Sequence, residues 1–347
     1  AVFQEELCVT ILRGLRAQLL HDGRRETGSV VAVGASEGAM VSGEDEIRKF
    51  MEGVGPDLLL ATGGRAEIFI DDLASLPFDP ELCRKARQKE IDYFRSKGVW
   101  EIRKIVEARA RTGRRPFSVR WVETNKGDDE HPNIRSRLVA REIRMHGEDA
   151  IFAPTPPLES LRVILSMATT ELPGRPAPDY DPKSNRRMQI MLVDISRAYF
   201  NAKISDDQPI CVDLPPEDAD YGKGMCARLR VHMYGTRPAA DGWHGEFSTT
   251  LESFGMVMGS SSACVFRHQT RQIVCTVHGD EFATAGPKDD LDWFKSKLEE
   301  HYELEEAARL GPGRNDDKEA RVLNRVVHWR QGGISYEADP RHYENLV

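Results

Sequence analysis

C-T-V-H-G-D-E-F, residues 275–282, is the stretch on which the reading of this chain turns. A β-rich approach from Ile273 to Val277 runs into His278 and Gly279. It then presents Asp280 and Glu281 side by side before a second short run, Phe282 to Thr284. Glycine tolerates the backbone of a tight hairpin turn, so the stretch predicts strand, turn, strand with two carboxylates at the tip. Two adjacent acids at a turn are ordinarily just solvated. A second strand changes that reading, because M-Q-I-M-L-V, residues 188–193, also ends in an acid, Asp194. If the two strands are neighbours in one sheet, Asp194 and Asp280 converge, and hard oxygen ligands gathered in this way suit Mg²⁺.

The chain of 347 residues can bury a large core and predicts two or three structural units. No apolar run approaches the length of a membrane span, and the first residues show no signal-peptide pattern. The 6 cysteines include no C-x-x-C pair, which points to reduced thiols inside the cell. Cys264, His268, Cys275 and His278 fit none of the usual zinc spacings. The net charge of −8 conceals an asymmetry: Arg95 to His146 carries 14 Lys and Arg against 7 Asp and Glu, so that segment is +7 and the remainder −15. A basic segment on an acidic body predicts one face for polyanions, the alternative being a merely solvated stretch at Arg103 to Arg120.

Residues 1–77 are expected to be a poorly ordered linker or remnant, with helical spacing only over Glu5 to Leu20 and a Gly, Ser and Ala-rich run from Gly28 to Gly43. Glu81 to Lys97 predicts a helix stopped by Gly98. Val99 to Ile105, Phe117 to Glu123 and Ile134 to Arg141 alternate as strands do and predict a small basic sheet. A helix is expected over Leu158 to Thr170, after Pro154, Pro156 and Pro157. The strand leading to Asp194 follows a loop, and further strands are expected at Ile210 to Leu214, Cys226 to Val231, Cys264 to His268 and Ile273 to Val277. Helices are expected over Pro238 to Phe254 and Asp289 to Tyr302, and a last hairpin from Val322 to Trp329 and Ile334 to Glu337. The order predicts an α+β fold, an antiparallel sheet with helices on one face.

Two carboxylates on neighbouring strands serve either as the acid and base of a glycosidase or as a metal site. Sugar hydrolysis gives no reason for a +7 segment. Phosphoryl or nucleotidyl transfer does, since cationic side chains neutralise a triphosphate. There is no G-x-x-x-x-G-K-S/T loop, which argues against a P-loop NTPase.

The residues around both acids carry a specific resemblance. D-I-S-R-A-Y-F, residues 194–200, is similar to the first catalytic motif of reverse transcriptases, and Val277 to Phe282 to the second, usually Y-x-D-D. The surroundings resemble the polymerase of copia-type LTR retrotransposon Pol polyproteins from about residue 80 onward. S-R-L-V-A at 136–140, F-A-P at 152–154 and M-Y-G-T-R-P-A-A-D-G-W at 233–243 match its K-A-R-L-V-A, F-A-P and L-Y-G-L-K-Q-A-P-R-A-W. The resemblance implies a right-hand polymerase with a ferredoxin-like antiparallel palm sheet and a small basic fingers subdomain. Fingers would occupy 78–157 and the palm 158–303, with the end of the palm and the start of a thumb or connection at 304–347 and no RNase H segment. It implies an RNA-directed DNA polymerase, a nucleotidyltransferase using Mg²⁺, with Mn²⁺ as a substitute. Its partners would be an RNA or DNA template-primer duplex, dNTP and other Pol and Gag segments, in the cytoplasm within a virus-like particle or in the nucleus, and no membrane. Asp194, Asp280 and Glu281 would be the catalytic and metal carboxylates, with the Ile195 carbonyl near the second ion. Arg137, helped by Arg135 and Arg141, would meet the triphosphate. Tyr199 would close off the sugar 2′ position, and Arg237 would lie near the nucleotide.

Two departures bear on activity. Pro238 replaces the family's Gln, and Glu281 replaces the second Asp of the motif. The alternative they raise is a decayed or repurposed copy that binds nucleic acid without polymerising; an unrelated metal-dependent phosphohydrolase is the third reading. Trp243 reads as a packing residue.

Overall fold

The computed structural model describes residues 69, 72, 78–128, 130–142, 154–169, 187–331 and 333–338. The readings made for residues 1–68, for Phe152 and for the loop at 171–186 fall outside these residues. Two compact units divide the chain, Ala1–Asp92 with Trp121–Leu138, and Tyr93–Arg120 with Val139–Val347.

The helix α1 (Pro80–Ser96), which belongs to the first unit as far as Asp92, starts where Asp79 caps it, its Oδ1 accepting the Glu81 N–H at 2.7 Å. Pro at the first helical position wastes no hydrogen bond, because that N–H would be unpaired anyway. Strands β2 (Val119–Asn125) and β3 (Ile134–Ala140), which belong to the first unit between Trp121 and Leu138, pair as a two-stranded sheet. Asn125 closes the loop between them, its Oδ1 accepting the N–H groups of Gly127 and Asn133, both at 2.9 Å. Ser136 and Leu138 are buried, whereas Arg135 is exposed and Arg137 half-buried, as period-2 alternation requires. A buried carboxylate organises the unit. Glu123 receives Arg87 Nε on Oε1 at 2.8 Å and Nη2 on Oε2 at 3.1 Å, while Ser136 Oγ donates to Oε1 at 3.0 Å. The Arg87 guanidinium also lies 4.4 Å from the ring centre of Phe69.

The second unit contains a three-stranded sheet, order β1-β6-β5, from β1 (Trp100–Lys104), β5 (Cys211–Asp213) and β6 (Met225–Leu229). This corrects the three-run basic sheet expected from sequence: β1 pairs with β6, Trp100 opposite Leu229. The charged stretch after it also holds a helix, α2 (Ile105–Thr112), ending at Gly113 in the left-handed region. That helix buries only Ala108. Its apolar periodicity is therefore almost absent from the sequence, which is why it was not foreseen.

The main sheet has 6 strands in the order β11-β4-β10-β9-β8-β7, every neighbouring pair antiparallel. They are β4 (Met188–Ile195), β7 (Met256–Gly259), β8 (Ser262–His268), β9 (Val274–His278), β10 (Glu281–Pro287) and β11 (Leu304–Leu310). On one face Met191, Val193, Ile195, Phe266, Cys275, Val277 and Phe282 pack against two helices, α4 (Ala239–Ser253) and α5 (Lys288–Glu299). On the other, Ile190, Leu192, Ala283 and Ala285 pack against α3 (Leu158–Thr169) and against Ala320, Val322 and Val327 of a separate sheet. The expectation of helices on one face is thus corrected to helices on both. The fold is a mixed α/β arrangement of antiparallel sheets.

That separate sheet, β12-β13-β14, comprises Glu319–Val322, Arg325–Arg330 and Gly333–Ala338. The single strand expected from Val322 to Trp329 is instead interrupted by a two-residue turn, Leu323 and Asn324 at φ 48 and 58. Positive φ at both central positions is the type I′ pattern, for which Asn is suited and Leu is not. Among the described residues the cysteines at 83, 211, 226, 264 and 275 are free and buried. No described helix is long and apolar enough to cross a membrane.

Candidate active site

The two stretches singled out in the sequence are neighbours in the sheet. β4 and β10 pair along their full lengths, and Asp194 stands directly opposite Glu281. Residues directly opposite in an antiparallel pair share a face, so both carboxylates leave the sheet on the same side. β9 and β10 form the hairpin, His278 opposite Glu281, with Gly279 and Asp280 as the two turn residues. Gly279 has φ +63, while Asp280 is not among the positive-φ residues. This matches a type II′ hairpin, which needs glycine at the first central position. The turn is stitched to β4 by the Ile195 N–H, which donates to the Asp280 carbonyl at 2.9 Å. Asp280 is thereby held one residue from Asp194 along the neighbouring strand.

β11, which the sequence reading did not separate from its surroundings, adds a further acid. Glu305 is the partner of Asp194 on its other side, so acids run in a row across β11, β4 and β10. Like charges opposite one another in a sheet repel. Burial above all, with the charges of Asp280 and Asp194, pushes the Glu281 carboxyl above its usual range, against the opposing pull of the Leu323 backbone N–H and His278. Glu281 Oε2 is buried and makes no hydrogen bond among the described residues. A buried acceptor among acids fits a divalent cation. Among the described residues no group of three or more His, Cys, Asp or Glu side chains forms a ready-made metal cage. That is the ordinary situation for Mg²⁺, which binds through one or two carboxylates with waters and substrate phosphates as the other ligands.

The surroundings bring some of the expected residues to this place. Tyr199 lies on the 3-10 turn Ala198–Asn201 just after β4, its ring centre 4.7 Å from that of Tyr234. Burial, together with the charge of Asp280, raises its phenol pKa. Arg197, between Asp194 and Tyr199, holds a left-handed backbone at φ 50 and stacks its guanidinium 3.7 Å from the ring centre of Tyr93. A non-glycine residue in that region is strained and persists where its surroundings hold it.

The residues on either side of Arg141 are clamped to the segment that carries Arg237. The Ala140 N–H donates to the Tyr234 carbonyl at 2.8 Å, the Glu142 N–H to the Gly235 carbonyl at 3.2 Å, and the Arg237 N–H to Glu142 Oε2 at 2.9 Å. Gly235, at φ +83, is required there because a Cβ would lie 2.0 Å from the Ala140 carbonyl oxygen. Pro238 is the N-cap residue of α4, and its carbonyl accepts the Gly242 N–H at 2.8 Å. Arg135 and Arg137 belong to the first unit. Trp243, expected only to pack, is buried at 1% exposure and also donates its Nε1 proton to the Gly279 carbonyl at 2.8 Å. The only sequence signal for that second role was the need of any buried indole for an acceptor.

A family model described as reverse transcriptase (RNA-dependent DNA polymerase) matches residues 100–312, more than half of the chain. A retrovirus-related Pol polyprotein from transposon TNT 1-94 of Nicotiana tabacum is 22% identical over 266 residues, covering 74% of this chain and 18% of the polyprotein. The chain thus spans under a fifth of that relative's length. Among solved structures, a foamy viral protease-reverse transcriptase in complex with dsDNA gives a TM-score of 0.42 at 11% identity, over 88% of this chain and 55% of that one. A second structure of the foamy viral enzyme, termed dRH and also with dsDNA, gives 0.41 at 11% identity, over 93% and 51%. By the family match the chain belongs to the reverse transcriptase (RNA-dependent DNA polymerase) family, as a reverse transcriptase domain of the copia type.

Proposed function

We infer that the chain extends a primer 3′-hydroxyl by nucleotidyl transfer from dNTP on an RNA or DNA template. The observation that carries this reading is the register of β4 against β10, with Asp194 opposite Glu281 and Asp280 bonded to Ile195. Asp194 and Asp280 would hold two Mg²⁺, Glu281 standing at the third carboxylate position and the Ile195 carbonyl near the second ion. When bound, the ions lower the pKa of the attacking hydroxyl and stabilise the leaving pyrophosphate. Arg137, with Arg135 and Arg141, neutralises the triphosphate, and Arg237 flanks the nucleotide. Tyr199 occupies the space beside the sugar 2′ position and so admits deoxynucleotides. Residues 78–157 act as fingers, 158–303 as palm, and 304–347 begin a thumb or connection. The duplex is gripped through its backbone, which makes binding salt-sensitive and independent of sequence.

A second reading, a copy that binds nucleic acid without polymerising, is motivated by Pro238 and above all by Glu281. Glu281 stands where the family motif has Asp, and an added methylene displaces a carboxylate by about an ångström, which can cost on the order of 100-fold. Primer extension on a homopolymer RNA template with Mg²⁺ or Mn²⁺ separates the two. Under the first reading the wild type extends and Asp194→Asn does not. Extension by Glu281→Asp alone, with an inert wild type, selects the second.

A further inference from the structure

Asp280 projects its carboxylate from a Cα whose two flanking peptide planes are both tied down. A peptide unit is planar, so holding its carbonyl holds its N–H as well. The plane between residues 280 and 281 is held by the Ile195 N–H on the Asp280 carbonyl at 2.9 Å. The plane between residues 279 and 280 is held by the indole of Trp243, whose Nε1 donates to the Gly279 carbonyl at 2.8 Å. With both planes held, φ and ψ of Asp280 are set, and so is the direction in which its Cβ leaves the chain.

Gly279 has no side chain, and among the described residues other than its chain neighbours no atom lies within 4 Å of the place a Cβ would take. His278 and Gly279 are exposed. Trp243, by contrast, is a fixed support. It is buried on α4, its ring centre is 5.4 Å from that of Phe247 and 5.2 Å from that of Tyr302, and the Tyr302 hydroxyl is anchored on Thr250 Oγ1 at 2.8 Å. The indole cannot swing without disturbing the core beneath the sheet.

We propose that Trp243 is a positioning residue for Asp280, referring the turn to α4 as the Ile195 N–H refers it to the strand of Asp194. The inference rests on the reading of Asp194 and Asp280 as metal carboxylates. A tryptophan that only packed would also want an acceptor for its buried N–H. Removing that proton would then affect stability alone. Positioning makes a different demand, because a carboxylate displaced by a fraction of an ångström loses metal affinity and turnover.

The test replaces the N–H and keeps the shape. In the full chain, Trp243→β-(3-benzothienyl)alanine puts sulfur where the indole nitrogen stands, and Trp243→Phe serves as a second variant that also removes ring volume. Four quantities are measured: Tm, amide exchange of the peptide spanning residues 277–282, the Mn²⁺ dissociation constant with Asp280→Asn as reference, and kcat and KM for dNTP in primer extension. The benzothienyl variant is expected to exchange about tenfold faster in that peptide, to bind Mn²⁺ several-fold more weakly, and to lose about tenfold in kcat with KM nearly unchanged. Trp243→Phe should follow in the same direction with a larger fall in Tm. Unchanged Mn²⁺ affinity and kcat, with only Tm reduced, overturns the positioning role while leaving the metal reading intact. A wild type that binds Mn²⁺ no better than Asp280→Asn overturns the metal reading, and the inference with it.

Discussion

Two glutamates in this molecule are withdrawn from water in opposite ways. Glu123, in the first unit, is 3% exposed, and both of its oxygens are taken, by the Arg87 fork and by Ser136. Glu281, in the second, keeps a buried oxygen without a hydrogen bond among the described residues and faces Asp194 across the strand pair. A buried carboxylate with its cation beside it is a structural joint. One held among other carboxylates, with only a backbone N–H and a histidine to oppose them, is a site that a metal ion or a cationic ligand stabilises. The contrast separates architecture from chemistry without reference to any motif.

The contrast can be broken most directly at Asp194. Asp194→Asn should lower primer extension by a factor on the order of 1,000 while leaving the first unit's unfolding unchanged. It should also abolish any rise in Tm on adding Mg²⁺. Equal extension by the variant would refute the catalytic half of the comparison. Next in size is Glu123→Ala, which removes both carboxylate oxygens from the part-buried Arg87 fork and is expected to cost about 3 kcal/mol in chemical denaturation. A cost under about 1 kcal/mol would mean that the pair is no joint.

Glu281→Gln should act in the other direction. The native carboxyl titrates above its unfolded value, first because it is buried and then because of Asp280 and Asp194. The folded state therefore binds the proton more readily than the unfolded chain. The associated stability is complete below the unfolded pKa and is lost as pH rises through the raised native one. Without divalent ions, Glu281→Gln is expected to raise Tm at neutral pH by a few degrees at most, and to flatten the decline of Tm from acid to neutral pH. A fall in Tm at neutral pH would show that the charge is already balanced. The smallest effect is expected from Arg135→Ala. This exposed strand residue should change stability by less than about 0.5 kcal/mol, yet reduce the salt dependence of duplex binding by roughly one ion.

Much of the second unit was legible because its strands and helices carry strong local patterns. The run ending at Asp194 and the Gly279–Asp280 turn were placed within a residue or two of β4, β9 and β10. The unbroken apolar run at 190–193 did hold a warning that helices would cover both faces, since a strand buried on one side alternates and this one does not. The hidden elements were those with weak patterns. α2 buries one alanine, β11 is charged along much of its length with a register shift between Glu306 and Ala308, and the turn after Val322 uses Leu323 at a positive φ that no propensity favours. Glu305 escaped notice for the same reason as its strand.

The sequence alone determined which groups are available: acids at the ends of two strands, a glycine that permits the turn between them, a basic segment and a buried tryptophan. These follow from side-chain chemistry and short-range periodicity, which are local. Only the tertiary structure decided the register that sets Asp194 against Glu281, the hydrogen bond from Trp243 to Gly279, and the difference between a glutamate with both oxygens bonded to cation and hydroxyl and one that keeps a buried oxygen without a hydrogen bond. Each of those depends on residues tens of positions apart, and a contact of that range is chosen by the packing of the whole sheet rather than by any segment of it.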